Sequence, residues 1–146
     1  EVVLSLDGTI DKYQGDCIMY WMGDWPVQCD DQEERAVTCA ALMLVALERL
    51  NEELESEGLP ALGIGIGINT GECVVGNMGG EQRFDFSCIG DSCNVAARLE
   101  AKSRSYTENV LIGEQTAKAV PGLVRRLDSI QVKGKEERLE VYTLRN

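Results

Sequence analysis

The chain has 146 residues and 44% of them are hydrophobic, which is enough for one compact domain with its own core. Its formal net charge of -11 argues against nucleic acid or an anionic membrane surface as a partner, because either would be repelled over most of the surface. The chain contains no histidine, which excludes hydrolases that use an imidazole base. Carboxylates, amides, cations or metal ions must therefore carry any chemistry.

Six cysteines are scattered along the chain without a CxxC pair, so the sequence lacks the ligand spacing of a zinc site. This usage is typical of buried free thiols in a reducing compartment. No apolar run approaches the roughly 20 residues needed to cross a bilayer, and the first residues lack the basic and apolar regions of a secretory signal. We therefore expect a cytoplasmic location, either free or as the cytosolic domain of a membrane-anchored protein.

The beginning of the chain predicts the end of one element followed by a hairpin. Residues 2–6 look like the last part of an earlier element, so the sequence reads as a truncation. Residues 9–13 and 17–21 have the composition of short strands, and the Gly-Asp pair between them is typical of a tight turn. This arrangement places Asp16 at the tip of a hairpin.

A long helix and a glycine-containing strand come next. Over residues 31–57 apolar side chains recur at the three- and four-residue steps of a helix with one buried face, and Asp31 with Glu34 resembles a capping box. Residues 62–68 alternate strictly between aliphatic residues and glycine, so a ligand or another backbone can approach the glycine face closely. The turn that follows predicts a second hairpin, with its return strand at residues 73–76.

The second half of the chain alternates between short strands and helices. It is predicted to contain strands at residues 84–89 and 110–112, helices that start at residues 94 and 114, and a final hairpin of residues 127–133 and 138–144. Strands outnumber long helices and most connections are hairpins. This pattern predicts an α+β fold with a largely antiparallel sheet and helices on one side.

Three segments carry side chains suited to phosphate or metal chemistry. Lys12 and Asp16 lie on opposite sides of the first hairpin tip. Asn94 and Arg98 lie one turn apart on one helix face, so both can reach a single point beside the start of that helix. Lys133 lies in a cationic turn of an otherwise acidic domain. Each segment taken alone is also compatible with an ordinary turn or a solvated helix face.

Together these segments resemble the class III nucleotidyl cyclases, the catalytic domain of adenylyl and guanylyl cyclases. The resemblance rests on several motifs in the same order, at residues 8–16, 65–72, 75–79, 83–100 and 132–135. It implies one cyclase catalytic domain over residues 1–146, truncated at its N-terminus, with a ferredoxin-like core. It also implies a homodimer in which two domains pair head to tail, so that each active site lies between the two chains.

Four residues match positions that carry catalysis in this family. The resemblance implies that Asp16 is the second of two aspartates that hold a pair of divalent cations, Mg2+ or Mn2+, and a carboxylate suits either ion. Asn94 would orient the ribose, and Arg98 would stabilise the charge on the phosphorus oxygens in the transition state. Lys133 would bind the terminal phosphates.

The resemblance also implies a preference for ATP. Adenylyl cyclases of this family carry a lysine at the position of Lys12 and an aspartate or threonine at the position of Ser87, where guanylyl cyclases carry glutamate and cysteine. Ser87 keeps a hydroxyl group that can donate to or accept from the adenine edge. The expected reaction is therefore the conversion of ATP into 3',5'-cyclic AMP and pyrophosphate, and a guanylyl cyclase is the alternative within the same class.

One residue of the family's site has no counterpart in the sequence. The first metal-binding aspartate of these cyclases precedes the region where this sequence begins, so the fragment by itself is expected to have an incomplete metal site. This gap keeps open a second alternative, a cyclase-like module that dimerises and transmits a signal without turnover. Domains of this kind usually form the output end of a longer chain, so we expect N-terminal sensor or membrane domains as partners. A milder departure is Cys93, which stands where a valine is usual.

Overall fold

The computed structural model describes residues 1–23, 29–131 and 136–146. The helices of this part of the chain are α1 (Val2–Ser5), α2 (Gln32–Ser56), α3 (Asp91–Ser103) and α4 (Glu114–Ala119). Its strands are β1 (Thr9–Gln14), β2 (Cys17–Trp21), β3 (Ile66–Ile68), β4 (Val74–Asn77), β5 (Phe86–Ile89), β6 (Val110–Gly113), β7 (Val124–Gln131) and β8 (Arg138–Leu144). None of the helices in these three ranges has the length and apolarity needed to cross a bilayer.

The largest sheet has four strands in the order β3-β6-β8-β7. Strand β3 runs parallel to β6, whereas β8 runs antiparallel to both β6 and β7. Two further antiparallel pairs, β1-β2 and β4-β5, form separate two-stranded sheets. Antiparallel pairing predominates, and the predicted α+β class is confirmed.

The two long helices pack on opposite faces of the four-stranded sheet. Helix α2 shares a buried cluster with Val110 and Ile112 of β6, whereas α3 shares a second cluster with Leu111. Successive side chains of a strand point to opposite faces, so the prediction that the helices lie on one side is wrong for this pair. All three β6 side chains are at most 1% exposed. Their uninterrupted apolar run is typical of a strand that is covered on both faces.

Helix α2 occupies the predicted region but lacks the predicted cap. Asp31 is its N-cap residue, yet the Asp31 side chain makes no capping hydrogen bond to the described part of the chain, so the capping box with Glu34 is wrong. The Asp31 carboxylate lies instead 3.1 Å from Nε of Arg35. The helix ends just before Gly58, whose φ of 76° is a conformation that favours glycine.

The second predicted hairpin is also wrong, because β3 pairs with β6 and β4 pairs with β5. The segment between β3 and β4 is held by two helices and does not close a tight turn. The Asn69 side-chain amide donates to the carbonyl oxygen of Ser92 in α3 at 3.2 Å, and the hydroxyl oxygens of Thr70 and Thr116 lie 2.8 Å apart. These contacts lead the chain away from β3 before β4 begins.

The glycine face of β3 packs against helix α3. A Cβ atom at Gly67 would overlap the carbonyl oxygen of Ala96 and the amide nitrogen of Glu100, and Gly65 faces the same helix. The predicted close approach is therefore confirmed, and the approaching group is a helix backbone. This contact sets the distance between β3 and the helix that carries two of the predicted site residues.

Candidate functional site

The first hairpin forms as predicted and carries Asp16 at its tip. Gln14 pairs with Cys17, which leaves a turn of two residues, and Gly15 in that turn has a φ of 62°. This left-handed conformation is one that glycine adopts without strain. The Asp16 carboxylate is carried on an exposed residue, so it is available to a ligand.

A cavity of about 980 Å³ lies between the first hairpin, β3 and α3. Its wall includes residues 16–23 and residues 63–71. Strand β3 is the last strand of its sheet, so the edge opposite β6 has no strand paired to it in the described chain. Asp16 lies on the cavity wall, whereas the other described site residues, Lys12, Ser87, Asn94 and Arg98, do not.

Lys12 and Ser87 are brought together by Asp11, a residue that the sequence patterns do not single out. The Asp11 carboxylate is fully buried and accepts a hydrogen bond from the Ser87 hydroxyl at 2.9 Å and another from the backbone amide of Cys88 at 3.0 Å. The Lys12 ammonium lies 3.6 Å from the same carboxylate. One buried carboxylate therefore links β1 to β5 and joins the two residues that are predicted from the sequence to select the base.

A β-bulge places Asp11 at this point. Ile10 pairs with Tyr20 and Lys12 pairs with Met19, so Asp11 is the extra residue of β1. In a regular strand neighbouring side chains point to opposite faces, and the bulge relaxes that rule here. No residue pattern in β1 marks the position of a bulge, which is why the sequence alone does not reveal the role of Asp11.

The hydrogen bond to Asp11 fixes how Ser87 can act. Ser87 is only 1% exposed, and its hydroxyl donates to the Asp11 carboxylate. The Ser87 oxygen therefore has lone pairs, but no proton, left for a further partner.

Asn94 and Arg98 lie on α3, one turn apart, as the sequence predicts. Both residues are exposed, whereas Val95 and Leu99 on the other face of the helix are buried. The amide and the guanidinium group therefore face the exterior of the chain. Lys133 lies outside the described residues, although the two strands that flank it, β7 and β8, pair as predicted.

Asp16 offers one hard oxygen ligand to a divalent cation. In residues 1–23, 29–131 and 136–146 it does not belong to a group of three or more metal-ligating side chains. The donor that is present suits Mg2+ or Mn2+, and a pair of cations needs at least one further carboxylate nearby.

The cysteines differ in exposure. Cys39 and Cys88 are buried as predicted, but Cys17 and Cys73 are exposed, so the expectation of buried thiols is wrong for these two. Both exposed cysteines lie beside the cavity, and no apolar element of the described chain covers them.

Comparison with known proteins identifies the family. The sequence profile of the adenylate and guanylate cyclase catalytic domain matches residues 10–146. The adenylate cyclase of Anabaena cylindrica is 37% identical over 147 residues, and the alignment covers 94% of this chain and 28% of that protein. Adenylate cyclase 1 of Rhizobium meliloti (strain 1021) is 34% identical over 144 residues, with 97% and 22% covered. The chain therefore belongs to the adenylate and guanylate cyclase catalytic domain family, as the motifs implied.

Solved structures of both specificities resemble the chain. The adenylyl cyclase CyaB from P. aeruginosa has a TM-score of 0.88 at 32% identity, and the match covers 99% of this chain and 75% of that chain. The guanylyl cyclase Cya2 has a TM-score of 0.84 at 33% identity, with 98% and 72% covered. Domains of this family bind nucleotides, generally use divalent metal ions and typically work as dimers. The chain spans about a quarter of the length of the two curated relatives.

Proposed function

We propose that the chain is the catalytic domain of an adenylyl cyclase, which converts ATP into 3',5'-cyclic AMP and pyrophosphate. The observation that carries the choice of ATP is the network of Lys12, Asp11 and Ser87. It joins the two residues that stand at the base-selecting positions of the family.

The direction of the hydrogen bond from Ser87 favours adenine over guanine. Because the Ser87 hydroxyl donates to Asp11, it can only accept from a base. The exocyclic amine of adenine is a donor, whereas the carbonyl oxygen at the same position of guanine is an acceptor. With guanine, the carbonyl oxygen of the base and the Ser87 oxygen would both be acceptors, so no hydrogen bond could form between them.

Two exposed residues of α3 are proposed to contact the reacting parts of the nucleotide. Asn94 orients the ribose so that its 3'-hydroxyl faces the α-phosphate, and the Arg98 guanidinium stabilises the negative charge that develops on the phosphorus oxygens. Lys133 binds the terminal phosphates. Asp16 would hold the divalent cations, which when bound favour the 3'-alkoxide and neutralise the triphosphate.

A shared site explains why these residues do not meet within one chain. Asp16 lies on the cavity wall, whereas Asn94 and Arg98 face outward from α3. In a two-fold homodimer each site can take its cation ligands from one chain and its base, ribose and phosphate ligands from the partner. A single chain is then inactive.

The cavity is the place where a further strand would complete the cation site. The free edge of β3 and the first hairpin both line it, and an extended segment placed there could pair with the open edge. Because Asp16 lies on the same wall, an aspartate on that segment would come close to it. This arrangement would supply a second carboxylate beside Asp16.

The domains that accompany this one in the full-length protein are proposed from the length of its relatives. The two curated relatives are several times longer than the matched region, which supports N-terminal sensor or membrane domains that control a cytoplasmic cyclase. The substrate ATP and the acidic surface also fit that location, and neither favours nucleic acid as a partner.

The deciding experiment measures cyclic AMP and cyclic GMP formed from ATP and GTP with Mn2+. It compares the 146-residue chain with a version extended at its N-terminus by the strand and helix that carry the family's first metal-binding aspartate. We expect cyclic AMP from the extended chain and far less from the 146 residues. Cyclic GMP as the main product would favour a guanylyl cyclase.

A non-catalytic signalling module is the second candidate. It is favoured because, among the described residues, Asp16 belongs to no group of three or more metal-ligating side chains. A stable dimer of the extended chain that forms neither cyclic nucleotide would support this module and would overturn the proposed activity.

A further inference from the structure

Three cysteines from separate elements converge beside the cavity. Cys73 directly precedes β4, Cys88 lies in β5 and Cys93 lies in the first turn of α3. Their Sγ atoms all lie within 4.8 Å of one another, and those of Cys88 and Cys93 are 3.3 Å apart. The cluster depends on the pairing of β4 with β5, so the spacing of cysteines along the sequence does not reveal it.

The distances between the sulfur atoms suit a single thiophilic ion. A zinc–thiolate bond is about 2.3 Å long, so two sulfur ligands of one tetrahedral ion lie about 3.8 Å apart. The separation of Cys88 and Cys93, 3.3 Å, is somewhat shorter than that value, and no separation in the cluster exceeds 4.8 Å. Small rotations about the Cα–Cβ bonds would bring all three sulfur atoms to one centre.

The exposure of the three thiols leaves one side of such an ion open. Cys88 is only 5% exposed, Cys93 is half-buried and Cys73 is exposed. Three protein ligands with an open fourth position is a recognised arrangement for zinc, with water in the open position. Soft thiolate ligands also select Zn2+ or Cu+ over Mg2+ and Mn2+, so this cluster would not compete with Asp16 for the same ions.

We propose that Cys73, Cys88 and Cys93 form a binding site for a thiophilic cation such as Zn2+. Binding forms three metal–sulfur bonds and releases three thiol protons to solvent, and water fills the fourth position. The bound ion ties together β4, β5 and α3, and it therefore stabilises the folded chain. This site does not depend on the proposed cyclase activity.

Protons compete with the cation at this site. Burial raises the pKa of the Cys88 thiol, and its contacts with the thiols of Cys73 and Cys93 raise it further. A cation must therefore displace a proton from this thiol when it binds.

The test uses the 146-residue chain, reduced with a phosphine so that no added thiol competes for the metal. Cd2+ serves as the probe, because cadmium thiolates absorb in the ultraviolet through charge transfer, and Zn2+ is then added as a competitor. Cys93→Val and Cys73→Ser each remove one ligand, and Cys17→Ser is the matched control on an exposed cysteine outside the cluster. Valine is the usual residue of the family at position 93, and a serine is tolerated at position 73 because Cys73 is exposed. Both variants should therefore fold.

We expect one Cd2+ per chain, displaced by Zn2+, and a melting temperature that rises with Zn2+. Each ligand variant should weaken binding by more than roughly tenfold, while Cys17→Ser binds like the parent. The absence of thiolate absorption in the parent would overturn the proposal. It would also be overturned if Cys93→Val and Cys73→Ser bound Cd2+ as tightly as the parent. The same holds if circular dichroism showed both variants to be folded and Zn2+ raised their melting temperatures as much as that of the parent.

Discussion

The Asp11 carboxylate holds together two residues that belong to different elements of the chain. It is fully buried, and it satisfies the Ser87 hydroxyl and the Cys88 amide while it faces the Lys12 ammonium. Buried carboxylates are stable only with such partners. The site at this scale therefore depends on a residue that itself would not touch the nucleotide.

We expect Asp11→Ala to lower both stability and base discrimination. The free energy of unfolding should fall by about 2–3 kcal/mol, because a buried amide and a hydroxyl lose their acceptor. The freed Ser87 hydroxyl could then donate to guanine, so the ratio of kcat/KM for ATP over GTP should fall in the active, extended chain. Urea denaturation and steady-state assays measure the two effects. Asp85→Ala removes an exposed carboxylate and should change neither; an unchanged ratio in Asp11→Ala would contradict the role of Asp11.

Arg98 and Arg104 provide a matched pair on α3 and just beyond its end. If Arg98 has its proposed role, replacing it by alanine should lower kcat on the order of a hundredfold, because the charge on the phosphorus oxygens loses its stabilising cation. Arg104 is 77% exposed on its side chain and lies 3.6 Å from Glu100, so Arg104→Ala should leave kcat nearly unchanged. Equal losses in both variants would show that Arg98 acts through general charge and not through contact with the substrate.

At the scale of elements, the packing of α3 on β3 decides where the exposed residues of that helix stand. The helix backbone lies directly over the glycine face of the strand. A larger residue on that face would push the helix outward, and with it Asn94 and Arg98.

The contrast between Gly67 and Gly63 tests this packing. A Cβ atom at Gly67 would overlap the backbone of α3, whereas one at Gly63 would meet no atom within 4 Å. Gly67→Ala should therefore cost about 1–3 kcal/mol of unfolding free energy and lower kcat, while Gly63→Ala should do neither. Thermal melts and cyclase assays on both variants check this expectation, and a neutral Gly67→Ala would contradict it.

A hydrogen bond between Tyr106 and Asp128 ties the segment after α3 to β7. The tyrosine hydroxyl donates to the carboxylate at 2.5 Å. The bond lowers the pKa of Asp128 and, from the other side, raises the pKa of Tyr106 to about 12. For Asp128 the resulting stability is complete above the ordinary carboxyl pKa of about 4 and is lost as the pH falls through the lowered value. For Tyr106 it is complete below about pH 10 and is lost as the pH rises through about 12.

Tyr106→Phe should therefore be less stable than the parent at pH 7, and the difference should shrink as the pH falls below about 4. Urea denaturation at a series of pH values measures it. Tyr13→Phe alters a tyrosine that is 67% exposed and should track the parent throughout. If the free energies of unfolding of Tyr106→Phe and the parent differed by the same amount at every pH, the hydrogen bond would not be the cause of the loss of stability at acid pH.

At the scale of the whole molecule, local patterns in the sequence predict elements better than they predict partners. The long periodic run of α2 and the Gly15-Asp16 turn each indicate one structure, and both are confirmed. Strand β3 pairs with β6, which lies far away in sequence, and Asn69 and Thr70 contact residues that are also distant. A local turn signal therefore predicts the wrong hairpin. The bulge at Asp11 has no sequence signature at all.

The proposed shared-site dimer makes a prediction that no single chain can satisfy. In the extended chain, Asp16→Asn and Arg98→Ala should each be nearly inactive. Mixed together, they should regain up to roughly a quarter of the parent activity, because half of the dimers are mixed and each mixed dimer holds one intact site. The assay is cyclic AMP formation after the two variants are mixed and allowed to exchange chains. A mixture as inactive as its parts, with exchange shown independently, would place both residues in the same chain's site.

The free edge of β3 has a consequence for amide hydrogen exchange. The Ile66 amide donates to the Asn109 carbonyl oxygen at 2.8 Å, on the side of β6. In a parallel pair of strands the amides of successive residues point in opposite directions. The Gly67 amide therefore points away from β6, and Gly67 lines the cavity. Two adjacent amides should therefore take up deuterium at very different rates, Ile66 slowly and Gly67 quickly. A strand added at this edge would slow Gly67 and leave Ile66 as it was, so occupation of the cavity can be observed at a single backbone position.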